Sequence, residues 1–317
     1  MTAKIVFMGT AAFSVPALRM LAARTDVTVS LVISQPSRAA GRGKQSTPPP
    51  VAAAALELGL RLEQPESLKS DEVHALLAAE EADLFVVAAY GQILRQRTLD
   101  LPRLGCLNIH GSLLPRWRGA APISWSIAAG DATTGVALMQ MERGLDTGPV
   151  FAQRPLMIGD TETAGELHDR LATLGADLLA DLLPAILAGS ATAEPQPARG
   201  ATYARMLTRA DRTIPFAQRA SSVADWINGM TPWPGAAATV EGELVLLCRA
   251  RPVDGTHALE PGQVVAADAR SGLFLAAGEG TVLEVLELQR AGKRVMPAKV
   301  VLNGWCPATG IRFEPVA

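Results

Sequence analysis

Short apolar runs alternate with stretches of helical spacing along more than half of the chain, and this alternation limits the fold to a few architectures. The first run, Ile5-Val6-Phe7-Met8, closes on Gly9. It is followed by Val27 to Ile33, by Leu84-Phe85-Val86-Val87-Ala88-Ala89, and by the shorter Cys106-Leu107-Asn108-Ile109. A strand that is apolar at nearly every position has no face left for water. It therefore reads as a strand covered on both sides, as in a parallel sheet. Helices are predicted between these runs at residues 14–23, with Pro16 tolerated in the first turn, and at 51–58, 71–79 and 122–129. A long helix is predicted at 163–187, ended by Gly189. Residues 134–139 and 150–157 add two further strands. The pattern predicts an α/β domain built on a mostly parallel sheet with helices on both faces.

Between residues 189 and 200 the composition shifts to Ala, Pro, Ser and Thr without periodicity, which reads as a linker. Beyond about residue 204 the chain breaks into short β-like runs. They include Ala238-Thr239-Val240, Leu244-Val245-Leu246-Leu247, Gly262-Gln263-Val264-Val265, Leu273-Phe274-Leu275 and Val282-Leu283-Glu284-Val285. Strands this short and this closely spaced suggest a small barrel, with one helix over 217–229 ahead of it. The expected division is a first domain at 1–189, a linker at 190–205 and a second domain at 206–317. A hydrophobic content of 49% over 317 residues supplies two cores and excludes general disorder. The net charge of −2 excludes a globally basic nucleic-acid binder but leaves room for a local basic face. Cys106, Cys248 and Cys306 are far apart, against a disulfide scaffold or a zinc ribbon and in keeping with a reducing compartment. With no apolar window long enough to span a bilayer, a soluble cytoplasmic protein is expected.

No dinucleotide fingerprint follows the first strand, where Gly9-Thr10-Ala11-Ala12-Phe13-Ser14 lacks the three-glycine pattern. Gly43-Lys44 looks like the end of a phosphate loop, but no strand feeds it and Gln45 follows. The densest polar cluster is Asn108-Ile109-His110-Gly111-Ser112-Leu113-Leu114-Pro115-Arg116-Trp117-Arg118-Gly119. Asn108 and His110 are two residues apart, so on an extended backbone they share a side. A carboxamide that donates to a developing oxyanion and an imidazole that donates or shuttles a proton together suit a carbonyl reaction. The alternative is that both only hydrogen-bond the loop. A second cluster, Met141-Glu142-Arg143-Gly144-Leu145-Asp146-Thr147-Gly148-Pro149, offers Asp146 as the carboxylate that orients His110, or else as a turn residue bonding its own backbone. Glu142 and Arg143 are expected to be solvated. The stretch from Ser34 to Pro50 carries Arg38, Arg42 and Lys44 and no acid. It reads as a loop suited to phosphate backbones, or as a disordered, solvated one. Residues 290–317 hold five cations, Lys293 and Arg294 among them, against the single acid Glu314. That is a nucleic-acid face on a small barrel or a plain solvated edge. Nothing in the sequence suggests a metal.

With these motifs in place, the sequence resembles the methionyl-tRNA formyltransferase family. The resemblance rests on Asn108 through Ile123 along its whole length, on Met139-Gln140-Met141 through Asp146-Thr147-Gly148, and on the loop at residues 38–49. Val87-Ala88-Ala89-Tyr90-Gly91, Ala201-Thr202-Tyr203-Ala204, Pro232-Trp233-Pro234 and Gln289-Arg290-Ala291-Gly292-Lys293-Arg294 extend it over nearly the full chain. It implies a Rossmann-like formyltransferase domain that binds 10-formyltetrahydrofolate and an OB-like C-terminal barrel that helps hold tRNA. The implied reaction gives formylmethionyl-tRNA from the initiator methionyl-tRNA. The implied catalytic residues are Asn108, His110 and Asp146, and the implied folate segment is Ser112, Leu113, Leu114 and Pro115. The tRNA-contacting loop residue falls on Arg42, with Arg38 and Lys44 beside it and Lys293 and Arg294 on the barrel. A monomer is expected. Ser37, Arg95, Arg205, Arg209 and the stretch Asp211-Arg212-Thr213-Ile214-Pro215-Phe216 depart from the family pattern. A formyltransferase acting on a sugar-nucleotide amine, and a non-catalytic RNA-binding protein with a vestigial folate pocket, are the competing readings.

Overall fold

The computed structural model describes residues 2–40 and 45–316. Seven strands form the first sheet, in the spatial order Val150–Met157, Thr133–Gln140, Cys106–His110, Leu84–Ala88, Ala3–Gly9, Val27–Ile33, Leu62–Glu63. The five strands from Cys106–His110 to Leu62–Glu63 run parallel, and Thr133–Gln140 lies antiparallel to Cys106–His110. Ile5, Val6, Phe7 and Met8 on the central strand have no solvent exposure, so both faces are covered. Alternate residues separate the faces. Val6, Met8, Leu31, Ile33, Phe85 and Val87 pack in one cluster with Leu77, Tyr90 and Leu99. The helix Ala164–Leu187 comes close enough to the sheet that a Cβ at Gly175 would stand 2.8 Å from Cγ2 of Ile109. Ile109 thus points to the helix side, and Asn108 and His110, one residue either way, point to the other.

The second sheet is antiparallel and curled, in the order Val264–Asp268, Gly272–Ala276, Val282–Arg290, Glu243–Val253, Ala236–Val240, Glu314–Pro315. Its two edges are joined by one stretch of chain. Val264 N–H donates to the Ile311 carbonyl and Phe313 N–H to the Gly262 carbonyl, both at 2.8 Å, and the next residues, Glu314 and Pro315, pair with Thr239 and Ala238. Val245, Leu247, Leu273, Leu275, Leu283, Val285 and Phe313 fill the interior together with Val223 and Ile227 of the helix Ala220–Gly229. By contact, the chain forms two compact units: Met1–Ala120, Gly135–Leu156 and His168–Tyr203 in one, and Ala121–Thr134, Met157–Leu167 and Ala204–Ala317 in the other. The sequence-based boundaries at 189 and 205 follow the chain, whereas these units interleave. No helix among the described residues is long and apolar enough to cross a membrane.

The α/β sheet followed by a small β domain is the architecture that the sequence pattern predicts. The local differences have physical causes. The edge strand Leu62–Glu63 and the helix Gln96–Leu99 are too short to carry a period. The runs at 244–247 and 282–285 extend to strands of 11 and 9 residues, Glu243–Val253 and Val282–Arg290. Their charged halves do not look apolar, because Arg251 faces Glu284 across the strands and pairs with it at 2.7 Å. The stretch expected as an open loop between Ser34 and Pro50 instead brings Arg38–Ala40 and Gln45–Thr47 together as an antiparallel pair. Arg42 and Lys44 lie outside the described residues.

Ahead of the barrel, Asp211 closes a capping box with Thr208 and takes two bonds from Arg205, at 2.5 and 2.9 Å. Its side chain is buried. The Arg205 guanidinium, helped by Thr208, nonetheless holds the carboxyl at about 2, below its ordinary 3.8. The ionised form is therefore the one that stabilises the fold. Its contribution is complete above pH 4 and disappears as the pH falls towards 2. Asp211→Asn is expected to destabilise the chain by about 1–2 kcal/mol at pH 7. The gap in melting temperature to the parent should narrow between pH 4 and pH 2, and a gap that stays constant over that interval would count against this role.

Candidate active site

Asn108 and His110 are both buried on the Cys106–His110 strand, opposite Met139 and Ala137 of the antiparallel neighbour. Because that neighbour runs the other way, its last residue pairs with Leu107, near the start of the Asn108 strand. Met141 N–H there donates to the Cys106 carbonyl at 2.7 Å. The loop of residues 141–149 must therefore fold back along the sheet face to bring Asp146 to Asn108 and His110. It is closed at its base by Gln140 N–H on the Pro149 carbonyl at 2.9 Å. Asp146 adopts φ of +50°. That conformation costs a non-glycine residue on the order of 1 kcal/mol, so the surrounding bonds must hold it.

Asn108 Nδ2 stands 3.5 Å from Asp146 Oδ1, and His110 Nδ1 stands 3.8 Å from Asp146 Oδ2. The same Oδ2 accepts the Gly119 amide at 2.8 Å. The other ring nitrogen, Nε2 of His110, is 2.9 Å from the Trp117 carbonyl. A carbonyl only accepts, so Nε2 carries the hydrogen and Nδ1 is the ring atom left for proton exchange. The expected sharing of one side by Asn108 and His110 is what the structure has, and Asp146 joins them from a second segment. The Asp146 side chain retains 14% of its exposure. An amide donor and an imidazole–carboxylate pair around one point can serve acyl transfer: the amide can meet an oxyanion, and the pair can take up a proton, after which the protonated ring is a second donor. Cys106 on the same strand is no nucleophile, since burial pushes its thiol up to about 12.

The Ser112–Pro115 segment begins two residues after His110. Ser112 is fully buried, and its hydroxyl donates to the Arg116 carbonyl at 2.7 Å. Leu114 is buried too, with its carbonyl held by Gln153 Nε2 at 3.0 Å. Leu113 and Pro115 remain half-exposed. Leu114, Val150, Phe151, Gln153, Glu194 and Gln196 border a cavity of about 420 Å³. Glu142 and Arg143 are exposed, as expected, and so is Leu145, an apolar side chain directly before Asp146. Arg38 begins the first short strand of the antiparallel pair, and Lys293 and Arg294 are exposed in the turn after Val282–Arg290.

Sequence reasoning missed Gln196 and Thr202, both inside the expected linker. Gln196 bonds the Asp146 and Gly148 carbonyls, and Thr202 Oγ1 accepts the Trp117 amide at 2.9 Å. No period or motif around Gln196 signals this, because the stretch makes its bonds through single side chains rather than through a regular face. Leu145 did carry a signal, as a large apolar residue in a polar, glycine-rich loop.

The fold and the grouping of amide, imidazole and carboxylate define a group-transfer enzyme acting at a carbonyl carbon. Residues 3–183 match the family model described as formyl transferase, and residues 206–305 match that of the formyl transferase C-terminal domain. The chain is 52% identical to the methionyl-tRNA formyltransferase of Paracoccus denitrificans, over 95% of this chain and 97% of that one. It is 46% identical to that of Aromatoleum aromaticum, over 99% and 98%. Among solved structures, an N-formyltransferase from Helicobacter canadensis, in complex with folinic acid and dTDP-3-aminofucose, shares the fold. Its TM-score is 0.65 at 14% identity, over 92% of this chain and 100% of that one. The chain belongs to the methionyl-tRNA formyltransferase family.

A Cβ at Gly148, two residues after Asp146, would run into the Gln140 carbonyl. Gly148→Ala must push the loop away from Asn108 and His110. Because displacements of about 1 Å cost on the order of 100-fold, a loss of that size in formylation rate is expected. Single-turnover kinetics on folded protein checks it.

Proposed function

We propose that this chain transfers the formyl group of 10-formyltetrahydrofolate to the α-amino group of initiator methionyl-tRNA, with Asn108, His110 and Asp146 around the reacting carbon. The observation that carries the reading is the approach of Asp146, from a separate loop, to both other side chains at 3.5 and 3.8 Å. The identity of about half to named methionyl-tRNA formyltransferases over nearly the full chain selects the substrate.

In the reaction the α-amino nitrogen attacks the formyl carbon. A C–N bond forms to methionine and the C–N bond to the folate breaks. Asn108 Nδ2–H donates to the oxyanion of the tetrahedral intermediate, and the His110 ring donates beside it once Nδ1 has taken up the proton released by the amine. Asp146 holds the ring so that Nδ1 faces the reacting centre, and it helps take the proton released by the amine. That proton leaves finally on the folate nitrogen, so the charges balance. The formyl donor is held by the segment from Ser112 to Pro115. Ser112 and Leu114 act by fixing the loop from inside, and Leu113 and Pro115 offer the contact surface. The residue set fits such a ligand: it offers half-exposed apolar side chains beside a polar centre and demands no metal. Arg38, Arg42 and Lys44, with Lys293 and Arg294 on the barrel domain, contact tRNA phosphates. All three reacting groups come from one chain, so a monomer suffices. An activity on charged tRNA belongs in the cytoplasm, in keeping with the free thiols Cys106, Cys248 and Cys306.

The direct test supplies charged initiator tRNA and 10-formyltetrahydrofolate and looks for the formylated aminoacyl group, with uncharged tRNA and a sugar-nucleotide amine as controls. Formylation of the sugar amine alone selects that alternative, and folate-independent RNA binding without turnover selects the non-catalytic one. His110→Ala and Asp146→Ala should each lose about 100- to 1000-fold in turnover while their melting temperatures change little. Near-normal formylation by either variant refutes the role given to it. Arg42→Ala should raise the KM for tRNA, most at low salt and less as salt increases, because one phosphate contact fewer flattens the salt dependence, and leave folate binding unchanged. An unchanged KM for tRNA removes the loop from the interface.

A further inference from the structure

The segment from Glu194 to Thr202, in the stretch that reads as a linker, is tied to both halves of the site. Glu194 forms an isolated antiparallel bridge with Val150, with N–H to carbonyl distances of 2.8 and 2.9 Å. Two residues on, Gln196 Nε2 donates one hydrogen to the Asp146 carbonyl and the other to the Gly148 carbonyl, both at 2.8 Å. Its Oε1 accepts Nε and a terminal nitrogen of Arg118, at 3.0 and 2.8 Å. Further along, Thr202 Oγ1 accepts the Trp117 amide, and the Thr202 carbonyl accepts the Arg118 amide, both at 2.9 Å. Trp117 is the residue whose carbonyl fixes the His110 ring.

We propose that Gln196 is a positioning residue for formyl transfer: its side-chain amide fixes the main chain of Asp146, and so sets where the carboxylate stands relative to Asn108 and His110. The inference rests on the roles given above to those three groups. The amide is held in one orientation by what surrounds it. Both carbonyls on one side only accept and the guanidinium on the other only donates, so a flipped amide would set its oxygen against two carbonyl oxygens. The buried guanidinium of Arg118 makes that bond charge-assisted. Asp146 gains from such a clamp because its φ of +50° carries a cost for a residue with a side chain, even one that tolerates the left-handed region as well as aspartate does. A carboxylate reaches its partners only as well as its main chain is placed. A small relaxation of residues 146–148 moves Oδ1 and Oδ2 away from Asn108 and His110, while the rest of the sheet stays as it is.

Two substitutions in the full chain separate the parts of the clamp. Gln196→Met keeps the length and removes every bond. Gln196→Glu keeps the acceptor for Arg118 but loses both donors and faces the two carbonyls with negative charge. Steady-state formylation is measured with methionyl-tRNA and 10-formyltetrahydrofolate varied in turn. Both variants should lose on the order of 10- to 100-fold in kcat, with the KM of each substrate within about twofold of the parent. A residue that merely stabilises the segment would not produce that split. The proposal is overturned by parental kcat in either variant, by a raised KM with kcat intact, or by a loss confined to Gln196→Glu, which would report only the added charge. If neither variant folds, Gln196→Asn decides instead. It keeps a side-chain amide but shortens it by one carbon, so that it cannot reach the Asp146 and Gly148 carbonyls and Arg118 together. A fall in kcat at constant KM supports the proposal, and parental kcat overturns it. An active parent with active variants removes the clamp alone, whereas a parent that forms no formylmethionyl-tRNA removes the functional reading and the clamp together.

Discussion

Oδ2 of Asp146 accepts the amide of Gly119 at 2.8 Å and faces Nδ1 of His110 at 3.8 Å. Around this one oxygen the rest of the site takes its form. Gly119 ends the loop that starts at His110, so the carboxylate ties the far end of that loop to the 141–149 loop. The near end is tied by the ring itself, through Nε2 on the Trp117 carbonyl. The imidazole therefore has a neighbour at each nitrogen: a backbone acceptor that fixes the tautomer at Nε2, and the Asp146 carboxylate 3.8 Å from Nδ1. Removing the carboxylate would free both the ring and the loop. One carboxylate thus both places the loop and sets the charge beside the ring.

The change of strand direction at the sheet's end makes this arrangement possible. Strands Ala3–Gly9 to Cys106–His110 follow the parallel rule and deliver their loops to one end. Thr133–Gln140 breaks the rule and delivers its loop to the other. A loop arriving from the wrong end can reach a side chain in the middle of a neighbouring strand by crossing the face of the sheet. The crossing needs a sharp left-handed residue and a glycine pressed against a carbonyl, and the chain has both, at Asp146 and Gly148.

How much of this was legible in the sequence depends on the range over which each contact acts. The buried strands announced themselves because continuous apolar runs have one structural use. The joint orientation of Asn108 and His110 followed from the two-residue repeat of a strand. Asp146 was identifiable as a carboxylate between glycines, but its path was not, since strand direction is settled by pairing between distant segments. Gln196 left no trace, because a single amide making four bonds to three residues needs no pattern around it. The charged ends of Glu243–Val253 and Val282–Arg290 concealed two long strands. Arg251 reads as a loop residue until Glu284 is known to lie across from it. For the basic stretch after Ser34, the sequence carried the charge but not the pairing of Arg38–Ala40 with Gln45–Thr47.

The last stretch of the second sheet has a role out of proportion to its length. Residues 311–315 bond to Gly262 and Val264 on one rim and to Ala238 and Thr239 on the other, acting as the hoop around the staves. Cutting this hoop would uncover two rows of idle amides and carbonyls at once. Such rims are templates on which another molecule's strand can settle, so a chain trimmed here should associate with its own copies as well as lose the stability that Phe313 gives the interior.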